Sequence, residues 1–176
     1  EFAVCCDTKY ARSMNFVGEK VPCNSPIPER LRHLFTDDGY TEDDIIYKAD
    51  TSSDEITLQM LNLLTAKLLL TGDDPELDDL VKECAAAITD HIIDNHYMLV
   101  DFTGESTTWA KWNEDYFQSE MGYVDGALNS AELLFYLKAA SVITGKTEKY
   151  DKVYNYIARE RGYAKMASEH YNRLMQ

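Results

Sequence analysis

The chain has 176 residues and sets 17 Lys and Arg against 31 Asp and Glu, a formal charge of −14. Such a balance repels a phosphate backbone and an anionic membrane surface alike, so nucleic acid is not an expected partner. Membrane insertion is not expected either: a span needs roughly 20 apolar residues, and even the run from Leu61 to Leu70 is broken by Asn62, Thr65 and Lys67.

Residues 1–35 show no sustained hydrophobic period, and Pro22, Pro26 and Pro28 favour irregular or extended backbone. They are read as an irregular N-terminal segment, followed by a helical-hairpin domain over 36–176. The opening Glu1-Phe2-Ala3-Val4 has neither an initiator Met nor the basic and apolar regions of a signal peptide, and is expected to be a processed or trimmed start. The cysteines Cys5, Cys6, Cys23 and Cys84 form no C-x-x-C pair, and no disulfide framework is indicated. Cys84 is expected to pack in the core.

An acidic loop, Thr36-Asp37-Asp38-Gly39-Tyr40-Thr41-Glu42-Asp43-Asp44, precedes Lys48 and Asp50. It lacks the register of a calcium-binding EF-hand loop. Ser52-Ser53-Asp54-Glu55 is a capping-box spacing that starts a helix running to about Thr71, with enough leucines to be buried on most sides, and Gly72 stops it. Asp74 then caps a second helix with Pro75 in its first turn and an apolar line through Leu77, Leu80, Val81, Cys84, Ile88 and Ile92. A second hairpin is expected from a capping box at Asn129-Ser130-Ala131-Glu132 to a stop at Gly145, and then from Thr147 to Gly162, with a last helix over about Ala164 to Met175. The two hairpins align at a constant offset of 73 residues, Thr71-Gly72 falling on Thr144-Gly145 and Leu77-Asp78 on Tyr150-Asp151. Each hairpin buries one side only, so the repeat predicts an all-α array of five or six stacked helices, as an open solenoid or part of an α/α toroid.

Little of the usual catalytic vocabulary is present. Gly145-Lys146-Thr147 lacks the first glycine and the preceding strand of a P-loop. His33, His91, His96 and His170 form no helical metal pair, and no metal or cofactor is expected. The informative stretch is the long connection from Tyr97 to Ala127, about 30 residues where two to eight are usual. It holds both tryptophans, Trp109 and Trp112, interleaved with Lys111, Asn113, Glu114 and Asp115. Flat rings beside polar groups suit a sugar, whose C–H face packs on the ring while its hydroxyls seek donors and acceptors. The alternative is that both tryptophans anchor the connection to the helices. Asp54 and Glu55 can serve as cap residues or as acid/base groups. Adjacent helical residues diverge by about 100°, so a catalytic pair needs a second carboxylate such as Asp50, Asp101 or Asp115.

Four segments together resemble bacterial six-hairpin glycosidase-like proteins: Tyr47-Lys48-Ala49-Asp50-Thr51-Ser52-Ser53-Asp54-Glu55-Ile56-Thr57, Ile88 to Asn95, Thr108-Trp109-Ala110-Lys111-Trp112, and Ala127 to Glu132 with Phe135 to Lys138. The resemblance implies an α/α toroid whose helix starts and long loops line a carbohydrate-sized cleft, in a protein of extracellular or periplasmic location. On it, Asp54, Glu55 and Asp101 are the catalytic candidates, and Lys48, Asp50, Trp109, Lys111, Trp112, Asn129 and Glu132 the substrate-binding ones. Leu58-Gln59 stands where the pattern has Gly-His, and Thr108 where it has Arg. A full toroid has about twelve helices, so this chain implies a partial ring, completed by further chain or by a homo-oligomer. Two functional expectations follow: a glycoside hydrolase-like or polysaccharide-processing domain, or a non-catalytic helical-repeat module that binds glycan or protein.

Overall fold

A computed structural model describes residues 51–100 and 104–169, together with the backbone of 3–5 and 45–47. The chain divides into two compact units, Glu1–Asp50 and Thr51–Gln176. Within the first, strands β1 (Ala3–Cys5) and β2 (Ile45–Tyr47) pair antiparallel, with Val4 opposite Ile46.

The second unit is mostly helical. Helix α1 (Ser53–Leu69) starts at the anticipated capping box, where the Ser52 N–H donates to Glu55 Oε2 at 2.8 Å. Helix α2 (Pro75–Asp94) starts at Asp74, whose carboxylate accepts from the Leu77 N–H at 3.0 Å, with Pro75 in the first turn. The connection to the second hairpin is not a plain loop. It contains an antiparallel strand pair, β3 (Met98–Val100) and β4 (Ser106–Lys111), then a single helical turn, α3 (Glu114–Phe117). Helix α4 (Gly122–Thr144), helix α5 (Thr147–Asn155), a π-helical turn (Tyr156–Glu160) and helix α6 (Tyr163–Ala167) complete it. Among the described residues no helix is long and apolar enough to cross a membrane.

Three sequence expectations are corrected. Helix α4 begins at Gly122, so Asn129 and Glu132 lie in its interior and cap nothing. A spacing of three puts both side chains on one helix face, and here that face meets Lys111 at the end of β4 and Trp112 just after it. Helix α1 is not buried on most sides: Ile56 and Met60 are buried, whereas Leu58, Leu61, Leu68, Leu69 and Leu70 are exposed. On α2 the fully buried positions are Val81, Ala85, Thr89 and Ile92, with Cys84 only half-buried. Leu77, Leu80 and Ile88 of the expected apolar line are likewise only half-buried.

Helix α4 is the hub, packing against α1, α2, α5 and α6. Its buried residues Leu133, Tyr136, Leu137, Ala140 and Ile143 form the centre of the core, joined by Ile56 and Met60 from α1 and by Trp112, Tyr150 and Tyr163 from the flanking elements. Its start demands glycine: a Cβ on Gly122 would sit 1.9 Å from the Tyr116 carbonyl oxygen. Its end uses Gly145 in the left-handed region, at φ 70°. The equivalent stop after α1 differs, because Leu70 stays right-handed and Gly72 has no positive φ.

Candidate functional site

The residues gathered at the start of α1 form a polar cluster inside an otherwise apolar core. Trp112, immediately after β4, is the fastener. Its N–H donates to the Tyr97 carbonyl at 2.8 Å, and its own carbonyl accepts from the Tyr163 hydroxyl at 2.7 Å. Its indole Nε1–H donates to Glu132 Oε2 at 3.0 Å. The ring meets Tyr136 edge-on, with centroids 5.3 Å apart and planes at 86°. One residue earlier, the Lys111 carbonyl accepts from Asn129 Nδ2 at 2.8 Å. Asn129 and Glu132 thus hold the end of β4 by the same helix face.

Glu132 is 6% exposed, an unusual position for a carboxylate. Burial raises its pKa, the Trp112 indole and the Ser53 and Thr57 hydroxyls oppose that rise, and the nearby Asp54 carboxylate adds to it. The Tyr136 hydroxyl donates to the Ser53 carbonyl at 2.9 Å and lies 2.7 Å from Thr57 Oγ1, closing the network on α1. Tyr136 titrates far above its ordinary range, chiefly because it is buried.

Of the residues singled out from sequence, Asp54, Trp112, Asn129 and Glu132 meet at this cluster. Glu55 does not join them as an acid/base group: its carboxylate accepts from the Ser52 N–H and lies 3.1 Å from the Ser52 hydroxyl, the work of a cap. The Asp54 carboxylate also meets that hydroxyl, yet its side chain is exposed. Trp112 is 0% exposed and cannot stack on a sugar, so a platform of two tryptophans does not form. Trp109 lies within β4 and is 46% exposed, whereas Trp112 stands just beyond the strand and is enclosed in the core. Trp109 and Lys111 instead border an open depression of about 510 Å³ with Asn113 and Asp115. Lys48, Asp50 and Asp101 lie outside the described residues.

The sequence reading missed Ser53, Thr57 and Tyr136. The available signal was the spacing of four between Glu132 and Tyr136, which places them on one helix face with Asn129. Among the described residues no group of three or more His, Cys, Asp or Glu is disposed to hold a metal ion. His91 serves the backbone, Nε2 accepting from the Val100 N–H at 3.1 Å.

No family model, curated protein or solved structure matches the chain.

Proposed function

We propose that the chain is a carbohydrate-active domain whose acid/base chemistry centres on Glu132 and Asp54. The observation that carries the proposal is the contrast between them: one carboxyl is buried with its pKa raised, and a second, exposed carboxylate stands close enough to raise it further. Two carboxyls in environments that separate their protonation states are the requirement for glycoside cleavage, one giving a proton to the departing oxygen and the other acting ionised. Glu132 takes the role of proton donor. Asp54, in the first turn of α1 where negative charge is favoured, takes the ionised one. Trp112 and Asn129 are positioning residues that fix Glu132 and the end of β4. The likeness to six-hairpin glycosidase-like proteins supports the same reading, with the hairpins forming part of an α/α toroid outside the cytoplasm, completed by a second copy or by further chain.

A second reading, a glycan-binding module without catalysis, is favoured by the hydrogen bonds that already occupy Glu132 and by the exposed ring of Trp109. Release of reducing ends from a panel of neutral polysaccharides separates the two. Catalysis by Glu132 predicts that Glu132→Gln lowers kcat by about 10²-fold or more with KM little changed. Activity of the wild type is then lost as pH rises through the elevated Glu132 pKa. A Glu132→Gln protein as active as the wild type, or a wild type inert on every polysaccharide, defeats the catalytic reading.

A further inference from the structure

The exposed Trp109 does not stand alone. Its depression shares Met98, Asn113 and Asp115 with a neighbouring one of about 500 Å³, so the two adjoin at these residues, side by side along a trough across β3, β4 and the start of α3. Each half has the volume of a small-ligand site. An aromatic ring is offered toward either end, Trp109 at 46% exposure and Tyr156 at 41%, and polar side chains stand between them.

Two backbone irregularities border the second half. His96 and Tyr97 are consecutive non-glycine residues at positive φ, 56° and 60°, a conformation in which Cβ crowds the following carbonyl oxygen. Opposite them, Tyr156 and Ile157 belong to the π-helical turn, a local unwinding that recurs at functional sites. Strain of this kind persists where the surroundings over-determine it, and it clusters at ligand clamps. Its effect here is to bring Tyr97 and Tyr156 to the wall of one depression.

The charges define the ligand. Arg161, beside Tyr156, is clamped by the Glu114 carboxylate through two guanidinium nitrogens and donates to the Tyr156 hydroxyl at 3.3 Å. Its charge is thereby matched. Lys111 and Asp115 bring one charge of each sign to the first half, and the chain as a whole carries −14. The trough therefore has aromatic faces, hydroxyls and amides but no surplus of positive charge, which selects an uncharged polyol chain over an acidic one.

We infer that this trough is an extended binding surface for a neutral oligosaccharide several sugars long, packing on Trp109 at one end and Tyr156 at the other. The inference takes its ligand class from the carbohydrate reading above but uses none of the Glu132 cluster. Calorimetric titration with cello-, xylo-, manno- and malto-hexaose and the matching disaccharides tests it, alongside reducing-end release. At least one hexaose is expected to bind, its disaccharide on the order of tenfold more weakly. Trp109→Ala and Tyr156→Ala are each expected to weaken hexaose binding by about tenfold, with the helical circular dichroism unchanged. Hexaose binding that both aromatic variants weaken, without turnover, upholds the trough and removes the catalytic reading; binding indifferent to both variants overturns the trough. Turnover that depends on Glu132, with binding and KM indifferent to both aromatic variants, removes the trough and upholds catalysis. Failure of all four hexaoses to bind, or equal affinity for disaccharide and hexaose, also overturns the trough.

Discussion

Replacing Trp112 by Phe isolates one hydrogen bond in a setting where its worth can be reasoned. The indole Nε1–H lies 3.0 Å from Glu132 Oε2, with Trp112 wholly buried and Glu132 nearly so, leaving little water to substitute for a lost donor. A hydrogen bond to a charged group contributes about 1.5–3 kcal/mol, and shrinking a buried ring adds roughly 1 kcal/mol. Trp112→Phe is therefore expected to cost about 2.5–4 kcal/mol at pH 8. The pH dependence carries the stronger test. Glu132 has a raised pKa in the fold, so its contribution to stability is fully present below the unfolded carboxyl pKa and is lost as pH rises through the folded one. Removing the indole donor takes away a cause that lowers this pKa, so the variant's penalty grows between pH 5 and pH 8. Urea unfolding followed by far-ultraviolet circular dichroism at both pH values measures it, with Glu132→Gln as the second arm of a double-mutant cycle. A penalty equal at pH 5 and pH 8, or one below about 1 kcal/mol, would refute the account of Glu132 as a buried, indole-held carboxyl.

Three further outcomes follow from the backbone and from one ion cluster. Gly122→Ala forces a Cβ against the Tyr116 carbonyl oxygen and is expected to destabilise the helical unit by about 3 kcal/mol, read as a drop in Tm. Gly145→Ala and Gly72→Ala should move stability in opposite directions: the first loses roughly 1 kcal/mol at a left-handed cap, whereas the second, with open space and no positive φ, gains about 0.4–1 kcal/mol by restricting the unfolded chain. Asp78 is held down to about 2 by Lys67 and Lys82, so its contribution is present above the unfolded pKa of about 4 and fades as pH falls toward 2. Asp78→Asn should flatten that part of an acid titration, and an unaltered titration would show that the two lysines do not hold it.

Local signals in the sequence were sufficient where structure is decided locally. The Ser52 capping box, the Asp74-Pro75 start and the Gly145 stop each depend on side chains within four residues of the backbone they serve, and all three form. The start of α4 was not legible because the same Asn-x-x-Glu spacing that caps a helix also sets two side chains on one face. Only the approach of Lys111 and Trp112 from far along the chain decides between these uses. Burial on α1 was misjudged for a related reason: leucine content states what could be covered, not which neighbours cover it. The site was half visible. Asp54 was singled out for its chemistry and Asn129 and Glu132 through the resemblance, whereas Trp112 looked identical in kind to Trp109 until the fold left Trp109 exposed on β4 and enclosed Trp112 just beyond it.

The central position of α4 also bears on how the chain is made. The α1–α2 hairpin is complete in sequence by Asp94, but the helix against which both members pack ends only at Thr144. During synthesis at about 5–20 residues per second, the first hairpin must wait several seconds with its inward side chains uncovered. Thr51–Gln176 is thus a unit whose early half depends on its later half. A cut between the two repeats would leave the first without the surface that makes it fold.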